Sequence, residues 1–447
     1  MFEHLDDPEG LAPGRSELAG VLARAQEIRQ RRRWGLAVAT CCVLLAASVG
    51  FFLSRPPGPG VSPPADDAFN LVTGPLPLGS PVPNTALVDV EFENPQNGFA
   101  LAVHRDEMLL AASEDGGSTW QVRNIDLPGG LGPADGYPGQ MEFVDGTGYL
   151  WGARTRAGAP LWVTHDAGIS WQQAAIGPYV LDVSAIDLDV WALTAACPAT
   201  QSGPCTVSMD QSLDGGVTWQ VVGPVASSVL VADAGAANAF ELARITRDRS
   251  YVLSDLGTTE HAAWFLQFTD DGGITWLNRP LPCAGADAQG AEIAASSTTD
   301  LWLLCGSASA GPGAQNKQLY RSGDGGVTWR LAATTGAGAG PTASPAQDAS
   351  DPLPVNGYVA PFAPGHRNLA VASPATAWLY PARAGLFKTA DGGATWVPVA
   401  SLADAGFPSG GQGNVTFVSA TQGWICSYGV GLWHTVDGIH WSPLGTS

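Results

Sequence analysis

Seven aspartates stand in nearly the same local sequence along the chain, and repeated carboxylates could serve acid and base chemistry or metal binding. Each follows a Ser or Thr by two positions and precedes one or two small residues and a Trp, a pattern that we name the corner motif. The seven aspartates are Asp115, Asp166, Asp214, Asp271, Asp324, Asp391 and Asp437. An Asp followed by Gly also forms a tight turn, because Asp accepts backbone N–H hydrogen bonds and Gly adopts positive φ. Since this structural role explains every position in all seven copies, we name no catalytic residue.

The corner motifs recur at intervals of 46 to 67 residues, with strand and turn signals between them. The last repeat reads as four short alternating runs, NVTFVSA, GWICSY, GLWHTVD and HWSPLG, each bounded by Gly, Ser or Asp. Four such runs at this period are typical of one propeller blade. The sequence therefore predicts an all-β domain over residues 85–447, a seven-bladed β-propeller of four-stranded antiparallel blades. The corner motif would join the third and fourth strands of each blade.

An aromatic side chain begins the second predicted strand of every blade, where it would fill the space between neighbouring blades. The seven are Phe99, Tyr149, Trp191, Tyr251, Trp302, Trp378 and Trp424. With this feature, the corner motif resembles the Asp-box, or BNR, repeat of the sialidase superfamily. The chain looks most similar to propellers related to photosystem II stability and assembly factors. The resemblance implies a fold but no single activity, because sialidases, xyloglucan-cleaving enzymes, sorting receptors and non-enzymatic scaffolds share the box.

A second polar pattern appears when the first strands are aligned on the aromatic residue that follows each one. One register holds a carboxylate or an amide in every blade: Asp89, Gln140, Asp182, Glu241, Glu292, Asn368 and Asn414. We predict that this set, the polar ring, borders the central channel. Such a ring would attract a divalent cation, preferably Ca²⁺, or a Lys or Arg side chain of a partner. The alternative is that these groups only satisfy water and backbone hydrogen bonds at strand ends.

Loop length varies mainly on the face opposite the corner motifs, which we name the variable-loop face. Its long segments are residues 196–206, 223–238, 306–316 and 333–365. Binding residues are usually carried by loops on a rigid scaffold, so we expect ligand binding on this face.

Residues 34–53 form an uncharged apolar run of twenty residues, long enough for a helix to cross about 30 Å of hydrocarbon. Four arginines lie within the five residues before it, and after Arg55 no Lys or Arg appears until Arg105. This asymmetry predicts a cytoplasmic segment 1–33, a transmembrane helix 34–53 and an extracytoplasmic remainder, giving a single-pass plasma-membrane protein. The alternative is a cleaved signal peptide, but the apolar run continues past the small residues that could be cleaved.

Residues 54–84 are Pro-rich and predict a semi-rigid spacer between the membrane and the propeller. In an oxidising compartment nearby cysteines pair. We expect disulfide bonds between Cys197 and Cys205 and between Cys283 and Cys305, which leaves Cys426 as a buried thiol.

The formal net charge is −20, and all of this excess follows residue 33. An acidic surface repels phosphates, which excludes nucleic acid as a partner and favours cations and basic peptides. The preference for Arg over Lys, with abundant Ala, Gly and Pro, suggests a GC-rich bacterial source. The sequence leaves the oligomeric state open.

The chain contains no phosphate-binding loop, no His and Cys cluster with metal-ligand spacing and no Gly-x-Ser-x-Gly motif, so we expect no cofactor besides the Ca²⁺ considered above. The function that we predict is a non-catalytic binding or assembly scaffold for a cell-surface protein or glycan. The alternative is a glycoside hydrolase of the Asp-box type, for which Asp106, Glu107 and Glu260 are carboxylates on the variable-loop face. Sialidase activity is not expected, because no Arg-Ile-Pro motif precedes the first blade.

Overall fold

The computed structural model describes the following residues: 69, 76–105, 107–124, 139–152, 159–177, 179–196, 205–229, 240–255, 264–283, 290–311, 313–335, 353–354, 357–359, 368–381, 384–399, 406–407 and 413–445. The chain divides into two compact units, Met1–Pro64 and Ala65–Ser447, and every described residue belongs to the second. Within the described ranges, no helix is long and apolar enough to cross a membrane. The predicted segments 1–33 and 34–53 lie outside those ranges.

Seven antiparallel sheets of four strands each follow one another along the chain. Blade one contains β1 (Leu87–Phe92), β2 (Gly98–His104), β3 (Glu107–Ser113) and β4 (Gln121–Asn124). Blade two contains β5 (Gln140–Val144), β6 (Thr147–Trp151), β7 (Trp162–Thr164) and β8 (Gln172–Gln173). Blade three contains β9 (Tyr179–Ile186), β10 (Asp189–Ala196), β11 (Cys205–Ser212) and β12 (Gln220–Val229). Blade four contains β13 (Phe240–Arg244), β14 (Ser250–Asp255), β15 (Trp264–Thr269) and β16 (Leu277–Arg279).

Blade five contains β17 (Gly290–Ala295), β18 (Leu301–Gly311), β19 (Ala314–Ser322) and β20 (Arg330–Thr334). Blade six contains β21 (Leu369–Val371), β22 (Ala377–Leu379), β23 (Phe387–Thr389) and β24 (Val397–Pro398). Blade seven contains β25 (Gly413–Phe417), β26 (Gly423–Ser427), β27 (Gly431–Thr435) and β28 (Trp441–Leu444). The predicted all-β, seven-bladed propeller with four-stranded antiparallel blades is therefore confirmed.

The first strands of successive blades contact one another around a closed circle, which identifies them as the inner wall of the propeller. The contacts run from β1 to β5, β9, β13, β17, β21 and β25, and from β25 back to β1. Each inner strand is the edge strand of its own sheet. The backbone N–H groups on its unpaired side therefore need acceptors from outside that sheet.

Apolar clusters lie between neighbouring blades, and the aromatic residues that begin the second strands form part of them. Trp191, Tyr251, Trp302, Trp378 and Trp424 are among the largest side chains that are completely buried. In blades seven and one, Trp424 stacks on Phe92 with ring centroids 3.7 Å apart. The burial of these large rings contributes to holding neighbouring blades together.

Among the described residues, no strand is exchanged between the first and last blades, because the four strands of blade seven all lie within residues 413–444. A short segment before β1 contacts both blades instead. Gly79 N–H donates to the carbonyl of Val122 in β4 at 2.8 Å, and Asn84 Nδ2 donates to the carbonyl of Leu444 in β28 at 2.8 Å. Leu76 and Val82 are buried in the same apolar cluster as Trp424. The packed domain thus begins before residue 85.

Within the described residues, a disulfide bond joins blades four and five. Cys283, which follows β16 of blade four, is bonded to Cys305 in β18 of blade five. Cys205 is also disulfide-bonded, and Cys197 lies outside the described residues. Cys426 is a buried free thiol whose Sγ–H donates to the carbonyl of Leu87.

Candidate functional site

The corner motif is a closed hydrogen-bonded turn, shown here by the copy in blade three. The Ser212 hydroxyl donates to Asp214 Oδ1 at 2.7 Å and accepts from Gly216 N–H at 2.7 Å. Thr218 donates its backbone N–H to Oδ1 at 2.8 Å and its hydroxyl to Oδ2 at 2.6 Å. The same contacts recur around Asp115, Asp166, Asp271, Asp324 and Asp391. Both carboxylate oxygens are therefore used within the turn.

These hydrogen bonds hold the motif carboxylates in the ionised form. Donation by the hydroxyl and backbone N–H of Thr218 lowers the pKa of Asp214 to about 2. Thr328 does the same for Asp324 and lowers its pKa to about 2. Because both oxygens of the carboxylate accept hydrogen bonds within the turn, the geometry agrees with a turn-forming role.

The seventh copy is one residue shorter and uses a different donor. His440 takes the place of the Ser or Thr, and its Nδ1 lies 2.6 Å from Asp437 Oδ2. The backbone N–H groups of Ile439 and His440 both donate to Asp437 Oδ1. The contact with His440 lowers the pKa of Asp437. The shorter turn is therefore still closed around the carboxylate.

The residue directly after each motif aspartate exposes a carbonyl group toward the preceding blade. In six of the seven junctions between described blades, that carbonyl accepts a hydrogen bond from a side chain of that blade. The donors are Arg123, Tyr149, Tyr251, Arg321, Trp378 and Trp424, and Lys388 also donates to the carbonyl that Trp378 contacts. Four of these are the aromatic residues that begin second strands. Phe99 and Trp302 begin the second strands where an arginine is the donor instead.

The junction between blades three and four is built differently. The indole Nε1 of Trp191 is buried without a hydrogen-bond partner among the described residues. Arg244 of β13 stacks over that ring, with its guanidinium carbon 4.3 Å from the centroid. Its Nη2 pairs with Asp189 Oδ2 at 2.7 Å, and the two side chains are 0% and 7% exposed. A charged pair thus stands where the other junctions use a hydrogen bond to a carbonyl.

The polar ring lies on the inner strands or directly beside them, and its carboxylates join one blade to the next. Asp182 Oδ2 accepts from the backbone N–H of Leu242 in the following blade at 2.7 Å, and Glu241 Oε2 accepts from Ile293 at 3.0 Å. Asn414 Nδ2 donates to Asp89 Oδ1 at 2.6 Å across the last junction. These contacts supply acceptors for the edge N–H groups of the inner wall.

Glu292 makes the most extensive contact of this kind. Its Oε2 accepts from both the backbone N–H and the side-chain amide of Asn368, each at 3.0 Å, and its Oε1 accepts from Leu369 N–H at 2.9 Å. Two neighbouring positions contribute in the same way: Glu142 accepts from Ala185 N–H and Glu93 from Gly146 N–H. Gln140 differs, since its Oε1 is buried without a hydrogen-bond partner among the described residues.

The hydrogen bonds of the polar ring are relevant to the divalent cation that we expected it to attract. In the part of the chain that the structure describes, no group of three or more His, Cys, Asp or Glu side chains is placed to hold a metal ion. Where the contacts are seen, the ring oxygens accept hydrogen bonds from backbone and amide donors, most of which belong to a neighbouring blade. This agrees with the alternative from the sequence, in which the ring satisfies backbone hydrogen bonds.

The variable-loop face is uneven, because the hairpins formed by second and third strands differ in length. In blade five, β18 and β19 have 11 and 9 residues, whereas β22 and β23 of blade six have 3 each. In blade three, β10 and β11 have 8 residues each. Two aromatic side chains on this face are exposed, Phe265 at 44% and Tyr428 at 54%. The long hairpins and exposed rings make this face the candidate binding surface.

Two buried polar groups were missed by the sequence reasoning, because each lies in an ordinary strand pattern. Lys317 of β19 is 0% exposed, and its Nζ donates to three backbone carbonyls within the described residues. Asp210 of β11 is 4% exposed, and it accepts from the Thr194 hydroxyl. Burial raises the pKa of Asp210. Of the carboxylates considered for glycoside hydrolysis, Glu107 is exposed at the start of β3, while Asp106 and Glu260 lie outside the described residues.

No protein-family model and no curated protein matches the sequence. Solved structures do match. YCF48 bound to a D1 peptide is 17% identical with a TM-score of 0.51, and the match covers 80% of this chain and 96% of that one. YCF48 from Cyanidioschyzon merolae is 13% identical with a TM-score of 0.49, covering 81% of this chain and 99% of that one. An ancestral GH74 enzyme is 13% identical with a TM-score of 0.51, covering 83% of this chain and 48% of that one. At these identities, the likeness shows that the chains share the propeller fold.

Proposed function

We propose that this chain is a membrane-anchored, extracytoplasmic propeller that binds a protein or glycan without catalysing a reaction, and that a basic peptide segment is the preferred ligand. The observation that carries the proposal is the contrast within blade five, where a uniform hydrogen-bonded corner supports an unusually long hairpin on the opposite face. Rigid scaffolds with elaborated loops are typical of binding proteins.

Charge supports the choice of a basic ligand. Acidic residues outnumber basic residues 41 to 21 in the whole chain. Such a surface attracts Lys-rich and Arg-rich segments and speeds their encounter. The likeness to YCF48 bound to a D1 peptide supports a peptide ligand, because a propeller of the same fold binds one in that structure. The same likeness and the recurring corner motif support an Asp-box propeller ancestry for this chain.

The membrane anchor and the location are part of the proposal. We infer that residues 34–53 cross the plasma membrane with residues 1–33 in the cytoplasm, and that the Pro-rich segment after them holds the propeller outside the cell. The charge-free run of twenty residues and the arginines before it support this orientation. Reporter fusions test it. Alkaline phosphatase fused after residue 447 should be active, and an inactive fusion with a stable protein would overturn the orientation.

The alternative activity, glycoside hydrolysis, has one observation in its favour, the shared fold with an ancestral GH74 enzyme. Such chemistry needs two carboxylates about 5 to 10 Å apart in a cleft. The inner-wall carboxylates instead accept hydrogen bonds from backbone N–H groups of neighbouring blades. This use of Glu142, Asp182, Glu241 and Glu292 favours a structural role for them.

The binding test uses the full-length chain in detergent and two probes, a synthetic library of 15-residue peptides and a glycan array. The proposal predicts selection of Lys-rich or Arg-rich peptides, with binding that weakens as salt is raised. Calcium at millimolar concentration, added alone, tests the ring as a cation site through the melting temperature. Cleavage of an arrayed glycan, or selection of acidic peptides, would contradict the proposed function.

A further inference from the structure

The fourth strand of each blade has an edge that faces away from its sheet, and in blade one the chain covers that edge itself. Residues 79–82 form an antiparallel bridge with β4. Val122 N–H donates to the carbonyl of Ser80, and the Val122 carbonyl accepts from Gly79 N–H, both at 2.8 Å. Val122 is 3% exposed, in the apolar cluster that this segment joins. A fourth strand of this propeller can therefore accept one further strand.

The position of Val122 can be identified in every blade from the register of the strands. In each blade it pairs with the residue two positions before the Ser or Thr of the corner motif. The seven equivalent residues are Val122, Gln173, Val221, Asn278, Leu331, Pro398 and Pro443. In blades six and seven this residue is Pro, which has no N–H to donate to a further strand.

The fourth strand of blade three, β12, lacks the usual protection of an edge. Proteins keep edge strands from pairing by making them short or by placing Pro or a charged side chain on them. β8, β16 and β24 have 2, 3 and 2 residues, β28 contains Pro443 and β20 contains Arg330. β12 has 10 residues, and no Asp, Glu, Lys or Arg occurs in residues 215–232. Pro224 ends its open stretch, which leaves residues 219–223 available for pairing.

Val221 lies in this open stretch. It is 69% exposed, although the equivalent Val122 is 3% exposed. Both residues follow a register shift at the same point of their ladders, so the N–H and C=O of Val221 point away from β11 as those of Val122 point away from β3. Among the described residues, no backbone hydrogen bond reaches Val221 from outside blade three. One outward donor and one outward acceptor on the same residue are what an antiparallel partner strand requires.

We propose that β12 pairs with β12 of a second copy of this chain, antiparallel about a two-fold axis, with the two Val221 residues opposite each other. Each Val221 then donates its N–H to the carbonyl of the other, and the two blades form one continuous sheet. Because the other edges are short, covered, or protected by Pro or Arg, each chain offers one such edge. A single self-complementary edge gives a closed dimer.

Charge favours a second copy as the occupant of this edge. A chain with a formal net charge of −20 repels its own copy, and the repulsion is smallest where the contact surface carries no charge. The uncharged edge also offers no attraction to the basic peptide that we propose as the ligand of the variable-loop face. The pairing therefore does not depend on the proposed function.

The oligomeric state of the full-length chain in detergent tests the pairing. Sedimentation velocity from about 1 to 100 μM covers the range of a weak dimer, and the wild-type chain should be dimeric at the upper end. Val221→Pro removes the N–H at a position where blades six and seven already have Pro, and it should weaken dimerisation at least about tenfold. Leu331→Pro is the matched control in blade five and should dimerise like the wild type. Melting temperatures show that both variants are folded.

Three results would overturn the proposal. The first is a wild-type chain that stays monomeric over this range, in which case a strand bound at this edge belongs to another protein. The second is equal dimerisation of the wild type and Val221→Pro. The third is an equal loss of dimer in Val221→Pro and Leu331→Pro, since the contact would then not be specific to β12.

Opposite charges test the two-fold arrangement, and they decide the proposal if Val221→Pro does not fold. Val221 is exposed, so Val221→Lys and Val221→Glu should both fold. Each variant alone should be monomeric, because the two-fold axis places like charges opposite each other. An equal mixture of the two should form a dimer again. If the mixture stays monomeric while the wild type dimerises, the two Val221 residues are not opposite each other and the proposed pairing is wrong.

Discussion

The two faces of this propeller are built on different principles. On the corner-motif face, one hydrogen-bonded turn is repeated seven times, and most junctions reuse the same carbonyl acceptor. On the variable-loop face, neighbouring hairpins differ several-fold in length. The comparison teaches that the repeated corner-motif face holds the seven blades together, which leaves the variable-loop face free to vary. If this is correct, changes on the first face should alter stability, and changes on the second should alter binding.

The largest loss of stability should come from the aromatic residue that closes the ring. Trp424→Ala removes a fully buried ring that stacks on Phe92 and donates to the carbonyl of Gly116. We expect the free energy of unfolding to fall by about 3–5 kcal/mol. Chemical denaturation followed by tryptophan fluorescence measures this change. A loss below about 1 kcal/mol would show that blades seven and one are held mainly by other contacts.

The disulfide bond between blades four and five should contribute nearly as much. Cys283 and Cys305 have a sequence separation of 22. Replacing both with Ser should lower the free energy of unfolding by about 3 kcal/mol, because the unfolded chain gains loop entropy. Wild-type protein under reducing conditions is the matched comparison. Equal melting temperatures for the oxidised protein and the double variant would contradict this expectation.

A smaller loss is expected from one corner motif. Ser212→Ala removes a buried hydroxyl and leaves Gly216 N–H without its acceptor, which should cost about 1–3 kcal/mol. Ser118→Ala is the control, because that hydroxyl is exposed and should contribute less than about 0.5 kcal/mol. Thermal unfolding of the two variants gives the comparison. If both variants melt at the same temperature, the buried hydroxyl is not important for the corner.

As the pH is lowered, the corner motifs should lose their contribution to stability before the packing between blades is affected. The motif carboxylates have folded-state pKa values below the ordinary value, about 2 for Asp166, Asp214 and Asp324. Lowered pKa values contribute stability that is present above pH 4 and lost as the pH falls toward 2. The free energy of unfolding should therefore decline over that window. A flat profile between pH 4 and 2 would contradict the role of these carboxylates.

The corner motifs and the aromatic residues that begin the second strands could be predicted from the sequence, because both patterns are local and recur once in each blade. The donors to the corner carbonyls could not all be predicted, since Arg123 and Arg321 act across a junction that only the folded ring creates. The register of the polar ring was read from the sequence. Its contacts with the next blade depend on side-chain directions that no periodicity encodes.

The segment before β1 and the residues after β20 that contact Lys317 were the least predictable parts. Residues 79–84 read as the end of a Pro-rich spacer, yet they pair with β4 and with Leu444. Lys317 reads as an ordinary polar position in a strand, and its burial follows from an insertion that returns to the same blade. Both features are long-range contacts in which the local sequence carries little information.

The most direct test of the central claim compares binding after matched changes on the two faces. The probe is a Lys-rich 15-residue peptide from the library selection, titrated against full-length variants. Phe265→Ser with Tyr428→Ser alters two exposed apolar residues on the variable-loop face. Leu213→Ser with Val217→Ser alters two apolar residues on the corner-motif face that are more exposed, at 63% and 64%. The account predicts at least about tenfold weaker binding for the first pair and unchanged binding for the second. The reverse result would contradict the assignment of binding to the variable-loop face.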